Sequence, residues 1–303
     1  MNKTTLNETS YFIDVENGKH QLHLKRFYTN NNGPAVFLVH GSIENGRIFY
    51  SKSQKGFAPF LAKNGFDVFV ADLRGRGESK PKIDKNADWG LQETLWTDFP
   101  AFMNKIKEIK GNNRMHWAAH SWGGVLFLAY YARKHQELNI ASMAFLGTKR
   151  RISVLSFEKL YKINFGWHAL SRYVIKKLGY LDAKRYKMGS DSESKRSYEE
   201  TNEWVVNKKW LDWKDNFDYA AALKKIDLPP ILSVTGIKDR VLGHPKDVKL
   251  VLQETGMQDK TTFKVLSKKN GNLQDYDHIN IATHPDAEKD HFVEILEFFR
   301  NNQ

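Results

Sequence analysis

The chain of 303 residues contains no cysteine. Disulfides, thiolate-bound metals and a cysteine nucleophile are therefore excluded, and a reducing compartment is compatible with the composition. No stretch approaches the run of about eighteen apolar residues that marks a membrane-spanning helix. Residues 1–8 show none of the apolar core of a secretory signal. These absences lead us to expect a cytoplasmic protein. Internal repeats and extended low-complexity tracts are missing as well. No nucleic-acid-binding motif is present, and the histidines and carboxylates never fall into a metal-ligand spacing such as His-Glu-x-x-His. We therefore expect no metal, no organic cofactor and no nucleic-acid partner.

Positive charge and aromatic residues, by contrast, are plentiful. The formal net charge is +12, from 47 Lys and Arg against 35 Asp and Glu. Residues 149–225 hold 18 Lys and Arg against 10 acids, so +8 of that excess lies in one quarter of the chain. Such an excess steers anionic partners, or serves solubility alone. Eight tryptophans and 41% apolar residues suffice for a substantial core. The length suits one large α/β domain with an insertion, or two small domains.

Apolar patterning places the elements. Residues 11–28 alternate around Asn17-Gly18, the signature of a β-hairpin. Ala35 to Val39 and Asp67 to Ala71 are continuous apolar runs of the kind found in buried parallel strands. A helix is expected at 57–63, closed by Asn64-Gly65. Another is expected from Leu95 to Ile109, stopped by Gly111 and kinked or restarted at Pro100. A strand at 115–118, a helix at 122–135 and a strand at 140–146 follow. From 149 to 225 the alternation stops, and the segment is helix-like, aromatic and basic, with a polar loop at 189–194. Alternation resumes after Pro229-Pro230 with a strand at 231–234, a helix near 246–255, a strand at 262–266 and a helix at 285–300. This order implies a mostly parallel sheet covered by helices on both faces, with an insertion over the carboxyl ends of the strands, where open α/β sheets bind ligands.

Ala119-His120-Ser121-Trp122-Gly123 stands where one strand passes directly into a helix. A serine flanked at both second neighbours by tiny residues reads there as a nucleophile elbow, with a strained backbone and an exposed hydroxyl. The flanking residues must be small because the helix starts almost on top of the strand.

Together with Leu38-Val39-His40-Gly41-Ser42, Asp72-Leu73-Arg74-Gly75-Arg76-Gly77-Glu78-Ser79, His120-Ser121-Trp122-Gly123-Gly124, Gly236-Ile237-Lys238-Asp239-Arg240-Val241 and Asp277-His278, the elbow makes the chain resemble the α/β-hydrolase superfamily. Lipase-like and lysophospholipase-like serine hydrolases are the most similar members. Ala119, where the family usually has glycine, is one departure. The resemblance implies an α/β-hydrolase core at 1–148 and 226–303 and a helical cap at 149–225. It also implies the order nucleophile, acid, histidine. Ser121 is then the nucleophile. The strand after it ends without a carboxylate, so the acid falls to Asp239, after the next. Of eleven histidines, the resemblance favours His278, in the loop between the last strand and last helix. His291 is read as lying well inside that last helix, and His40 as supporting a loop. Backbone N–H donors for an oxyanion are expected from Trp122 and Ser42, with Asp72 and the Arg74–Arg76 turn as structural ties.

A serine at the elbow selects acyl chemistry. Family members that open epoxides or remove halogens carry aspartate there, and polyester synthases carry cysteine. The expected activity is hydrolysis of carboxylic esters, with thioesterase or peptidase activity and a non-catalytic binding protein as alternatives. Thirteen aromatics between Phe157 and Tyr219 are expected to form the insertion's own small core, a subset lining an acyl pocket. Residues 149–187 carry eleven Lys and Arg against two acids. They suggest a mobile cap that takes a lipid-like ester and touches an anionic membrane surface peripherally. A rigid cap over a small soluble ester is the competing expectation.

Overall fold

The computed structural model describes residues 5–154, 167–257 and 259–303. Phe157, Tyr161 and Phe165, three of the aromatics singled out above, lie outside the described residues. In chain order the principal elements begin with β1 (Asn7–Val15), β2 (His20–Tyr28), β3 (Ala35–Val39), α1 (Phe57–Lys63) and β4 (Asp67–Asp72). Then come α2 (Phe99–Lys110), β5 (Met115–His120), α3 (Trp122–Lys134) and β6 (Ile140–Leu146). The next stretch carries α4 (Ser171–Leu178), β7 (Tyr180–Leu181), β8 (Glu193–Ser194), α5 (Lys195–Val206) and α6 (Tyr219–Leu223). The chain closes with β9 (Ile231–Gly236), α7 (Pro245–Glu254), β10 (Thr261–Leu266), α8 (Asn280–Thr283) and α9 (His291–Arg300).

Eight strands form one sheet in the order β1-β2-β4-β3-β5-β6-β9-β10. β1 and β2 are antiparallel to their neighbours, and every other pairing is parallel. β3 reads as an unbroken apolar run because both of its faces are covered. Phe37 and Val39 point into a cluster with Phe99, Phe102 and Phe127, on the α2 and α3 side. Val36 and Leu38 point the other way, into a cluster with Phe57, Leu61, Phe292 and Phe299 of α1 and α9. The strand order reverses direction around β3. Such a switch point is where open α/β sheets bind ligands, outside the carboxyl ends of the strands, here β3 and β5.

Two helix boundaries differ from the sequence expectation. Leu91–Glu93 and Thr94–Asp98 precede α2 as a helical turn and a π-helical stretch, and the Phe99 N–H reaches back to the Thr94 carbonyl. Pro100, second in α2, has no N–H to give, so the ladder shifts by one carbonyl upstream of it and restarts. The last helix is also broken. A 3-10 turn spans Pro285–Lys289, and α9 begins only at His291. Asp290 leaves the helical conformation because its carboxylate accepts from Leu273 N, Asn272 Nδ2 and the Tyr276 hydroxyl, each at 2.8 Å. His291 is thus the first residue of a helix rather than an interior one. Its buried ring meets the Ile281 carbonyl at 2.7 Å.

The insertion's aromatics do not make one separate core. Trp204, Trp210 and Tyr219 belong to the large cluster that holds Trp122, Leu126 and Phe127. This explains why α3 is buried from Trp122 through Ala132: one side lies on the sheet and the other beneath those rings. A second, small cluster of Val174, Ile175, Leu181, Ala183 and Tyr198 is the insertion's own. Arg150 fastens the two regions together. Its guanidinium donates to the carbonyls of Trp204, Asn207 and Lys208, at the C-terminal end of α5, and to Glu254.

Candidate active site

Ser121 sits between β5 and α3 with φ 52° and ψ −123°, a conformation that a non-glycine residue adopts only under constraint. The constraints are visible. Its N–H donates to Leu146 O at 2.8 Å, and its carbonyl accepts from the Thr148 hydroxyl at 3.0 Å and from Gly124 N at 3.2 Å. Close packing also forbids side chains nearby. A Cβ on Gly123 would lie 2.5 Å from Val39 O, and one on Gly124 would lie 2.3 Å from Thr148 Oγ1. Gly41 approaches Ser121 just as closely, since a Cβ there would come within 2.9 Å of Ser121 Cβ.

The structure brings the three residues named from the sequence into one hydrogen-bonded chain. His278 Nε2 lies 2.8 Å from Ser121 Oγ, and its Nδ1 lies 2.5 Å from Asp239 Oδ2. Asp239 can only accept, so His278 Nδ1 carries the proton and Nε2 accepts from the serine hydroxyl. The other carboxylate oxygen of Asp239 accepts from Gly243 N at 2.8 Å. Burial alone would raise the Asp239 pKa. The His278 ring, the Gly243 N–H and the charge of Lys149 together hold it below the ordinary value.

The turn after β3 faces this chain. Trp122 is the first residue of α3, so its N–H has no acceptor in the preceding turn of helix. In residues 41–43, two glutamates occupy the N–H groups on either side of Ser42. Gly41 N donates to Glu44 Oε2 at 2.9 Å, and Ile43 N donates to Glu193 Oε2 at 3.1 Å. Among the described residues the Ser42 N–H has no such partner. The two N–H groups expected to face a developing negative charge are thus the ones left unengaged. His40 supports this turn as expected: its Nε2 accepts from Leu73 N at 3.1 Å, which leaves Nδ1 to donate to Gly41 O at 2.8 Å.

Sequence reasoning missed Glu44, Glu193 and the role of His120. Both ring nitrogens of His120 face acceptors: Nδ1 meets Glu44 Oε2 at 2.8 Å, and Nε2 meets the His278 carbonyl at 2.7 Å. A neutral imidazole has one donor only, so His120 is an imidazolium buried against the Glu44 carboxylate. The directions of titration agree. Burial would raise Glu44, but the charge and hydrogen bond of His120 bring it down to about 2. Burial would lower His120, but Glu44 and the His278 carbonyl hold it above its ordinary value. Glu44, three residues beyond Gly41, was the one available sequence signal.

A second hydroxyl–imidazole–carboxylate chain exists elsewhere. Ser10 Oγ lies 2.9 Å from His23 Nε2, and His23 Nδ1 lies 2.7 Å from Asp72 Oδ2. Ser10 is exposed in the middle of edge strand β1, where backbone N–H groups lie in the plane of the sheet and side chains stand off it. The backbone N–H groups of β1 therefore do not converge on a group attached to that hydroxyl. Asp72 is the structural tie expected of it, since it also accepts from Gly46 N and Glu78 N.

A family model described as the alpha/beta hydrolase fold matches residues 34–250. The chain belongs to that family. It aligns at 30% identity over 138 residues with bifunctional epoxide hydrolase 2 of Sus scrofa, covering 44% of this chain and 22% of that protein. With triacylglycerol lipase 1 of Arabidopsis thaliana the identity is 29% over 122 residues, covering 38% and 31%. The chain thus matches less than a third of the length of either relative. The structure of a thermophilic esterase from Thermogutta terrifontis superposes with a TM-score of 0.58 at 17% identity, covering 97% of this chain and 98% of that one. That likeness shows the fold alone. The chain is thus a member of the α/β-hydrolase fold family whose sequence relatives at low identity include a lipase and an epoxide hydrolase.

Proposed function

We propose that the chain hydrolyses carboxylic esters, lipid-like ones in particular, with Ser121 as nucleophile, His278 as general base and acid, and Asp239 as its orienting partner. Ser121 Oγ attacks the ester carbonyl carbon as His278 Nε2 takes the hydroxyl proton. The carbonyl oxygen becomes an oxyanion between the N–H groups of Trp122 and Ser42. Collapse expels the alcohol, protonated by His278, and leaves an acyl-enzyme. Water, deprotonated by the same imidazole, then releases the acid. The observation that carries this reading is the 2.8 Å contact of Ser121 Oγ with His278 Nε2 on an elbow at φ 52°. Serine at that position favours acyl transfer over the epoxide chemistry named for one relative. Thioester and amide cleavage would use the same groups.

Residues 149–225 act in this proposal as the cap, fixed to the core through Arg150 and Trp204. On α4 the residues Ser171, Val174 and Ile175 are buried, while Arg172, Tyr173, Lys176 and Lys177 are exposed. An aromatic and basic face of this kind supports peripheral contact with an anionic lipid surface, each nearby base contributing about 1 kcal/mol. Among the described residues no helix is long and apolar enough to cross a membrane, and a cytoplasmic location remains part of the proposal. The test is a rate profile over p-nitrophenyl esters of increasing acyl length, with binding to anionic vesicles measured at low and high salt. Rates rising with acyl length and salt-sensitive binding are expected. Preference for acetate esters together with no vesicle binding at low salt would refute the lipid-like substrate. Failure of Ser121 to react with a fluorophosphonate would refute the mechanism.

A further inference from the structure

The polar loop at 189–194 has no part in the mechanism above, yet it is built directly onto the 41–43 turn. Ile43 holds φ at 51°, a left-handed conformation that a β-branched residue adopts at a cost of about 1–3 kcal/mol. Both of its backbone polar groups are taken by that loop. Ile43 N donates to Glu193 Oε2 at 3.1 Å, and Ile43 O accepts from Asp191 N at 3.0 Å. Its side chain packs against the insertion's own apolar cluster. Gly189 lies so close that a Cβ would stand 2.3 Å from Ile43 O.

The loop is itself anchored. The Glu193 side chain is 1% exposed and paired with Arg76, while Asp191 Oδ2 accepts from Gly77 N at 2.7 Å and Asn45 Nδ2 at 3.2 Å. On the other side of Ser42, Glu44 pins Gly41 N. The peptide that carries the Ser42 N–H is therefore fixed from both sides, and one of the two clamps comes from about 150 residues away in the insertion.

We infer that Glu193 is a positioning residue: through Ile43 it holds the 41–43 turn in the shape that presents the Ser42 N–H to the oxyanion. The inference rests on the esterase reading. It makes the insertion part of the catalytic apparatus as well as a cover, because undocking the loop would let Ile43 relax and turn the donor away.

The experiment measures kcat and KM for p-nitrophenyl butyrate and the inhibition constant of n-butylboronic acid. The boronic acid adds Ser121 Oγ to boron, passes the hydroxyl proton to His278 and loses no group. Its tetrahedral adduct places an oxygen where the oxyanion forms. Losing an oxyanion donor costs about 10²–10³ in kcat, so misplacing one should cost less. For Glu193→Ala we expect kcat to fall about ten- to hundredfold and boronate affinity to weaken by a similar factor, with KM within about twofold. Glu193→Gln, whose amide oxygen can still accept from Ile43 N, should recover part of both. Because Glu193→Ala strands Arg76, Gly189→Ala serves as an independent variant. It leaves every charge in place, displaces the loop by contact alone, and should lower the same two quantities together.

Unchanged kcat and boronate affinity in folded Gly189→Ala and Glu193→Ala would overturn the inference. So would a rise in KM alone, which would assign the loop to substrate entry. If the unsubstituted protein neither cleaved esters nor bound boronate, the esterase reading would fall, and this inference with it.

Discussion

Replacing Glu44 by glutamine isolates the buried ion pair beneath the site. The substitution keeps volume and removes one charge. Glu44 Oε2 accepts from both Gly41 N and His120 Nδ1, while His120 Nε2 donates to the His278 carbonyl. With glutamine in place, His120 must either stay charged in a site without its counter-ion or lose a proton and, with it, one of its two donated bonds. Breaking a buried pair in this way costs about 3–5 kcal/mol. At about 2.1 cal/mol/K of unfolding entropy per residue, a loss of ~3 kcal/mol in a 303-residue chain lowers Tm by about 5 °C. The pH dependence is more diagnostic. Glu44 is brought down to about 2 from an ordinary 4.5, so its contribution is complete above 4.5 and vanishes as pH falls towards 2. His120 is held above its ordinary 6.5, so its contribution is complete below that and vanishes as pH rises through the raised value. The ionisable side chains that face this pair, His278 and Asp239, are the same in both proteins. The Tm difference between the unsubstituted protein and Glu44→Gln, measured by calorimetry from pH 3 to pH 10, should therefore be bell-shaped. A difference independent of pH would refute the ion pair.

Three further outcomes are expected. Ser121→Ala should lower kcat on p-nitrophenyl esters by on the order of 10⁴-fold without lowering Tm, whereas Ser10→Ala, in the exposed second chain, should leave kcat unchanged; a loss in the second variant would contradict the assignment. Arg150→Met removes five hydrogen bonds that tie α5 and Glu254 to the strand end and should destabilise the fold by about 3–5 kcal/mol in urea unfolding, while a loss below ~1 kcal/mol would show that the insertion is held by packing instead. Ester hydrolysis should survive dialysis against EDTA, because the triad generates its own nucleophile; activity lost on chelation and restored by zinc or manganese would refute that.

The sheet was legible because its central strands are covered on both faces. Ala35–Val39 and Ile140–Leu146 were placed to the residue, since a strand buried on both faces leaves an apolar run between polar turns, broken in the second only by the small Ser142. Ser121, His278 and Asp239 were singled out for a different reason: the resemblance to α/β-hydrolases carries the order nucleophile, acid, histidine, and each of the three lies in the stretch that follows a strand. What escaped depended on partners far apart in sequence. Asp290 interrupts the last helix because of Leu273, Asn272 and Tyr276, and no local propensity signals that. Trp204 and Tyr219 join the main core because α3 needs cover on its outer side. Glu193 reads as one acid in a polar loop until Ile43 is brought against it.

The two hydroxyl–imidazole–carboxylate chains show what the fold adds to the three side chains. Their distances are nearly the same: 2.9 and 2.7 Å around His23, 2.8 and 2.5 Å around His278. Proton transfer along such a chain can raise the nucleophilicity of either serine. It cannot by itself stabilise the oxyanion that attack creates, and that stabilisation is usually the largest single contribution to acyl transfer. Of the two serines, only Ser121 stands where the backbone turns at positive φ into the start of a helix, so that an N–H follows that serine directly. Only there does a second loop, pinned at Gly41 by Glu44 and at Ile43 by Glu193, hold an unengaged N–H opposite it. Among the described residues the hydroxyl–imidazole–carboxylate chain occurs twice; the turn proposed to hold the oxyanion is the part that required the fold, and it is held in place by the residues hardest to see in the sequence.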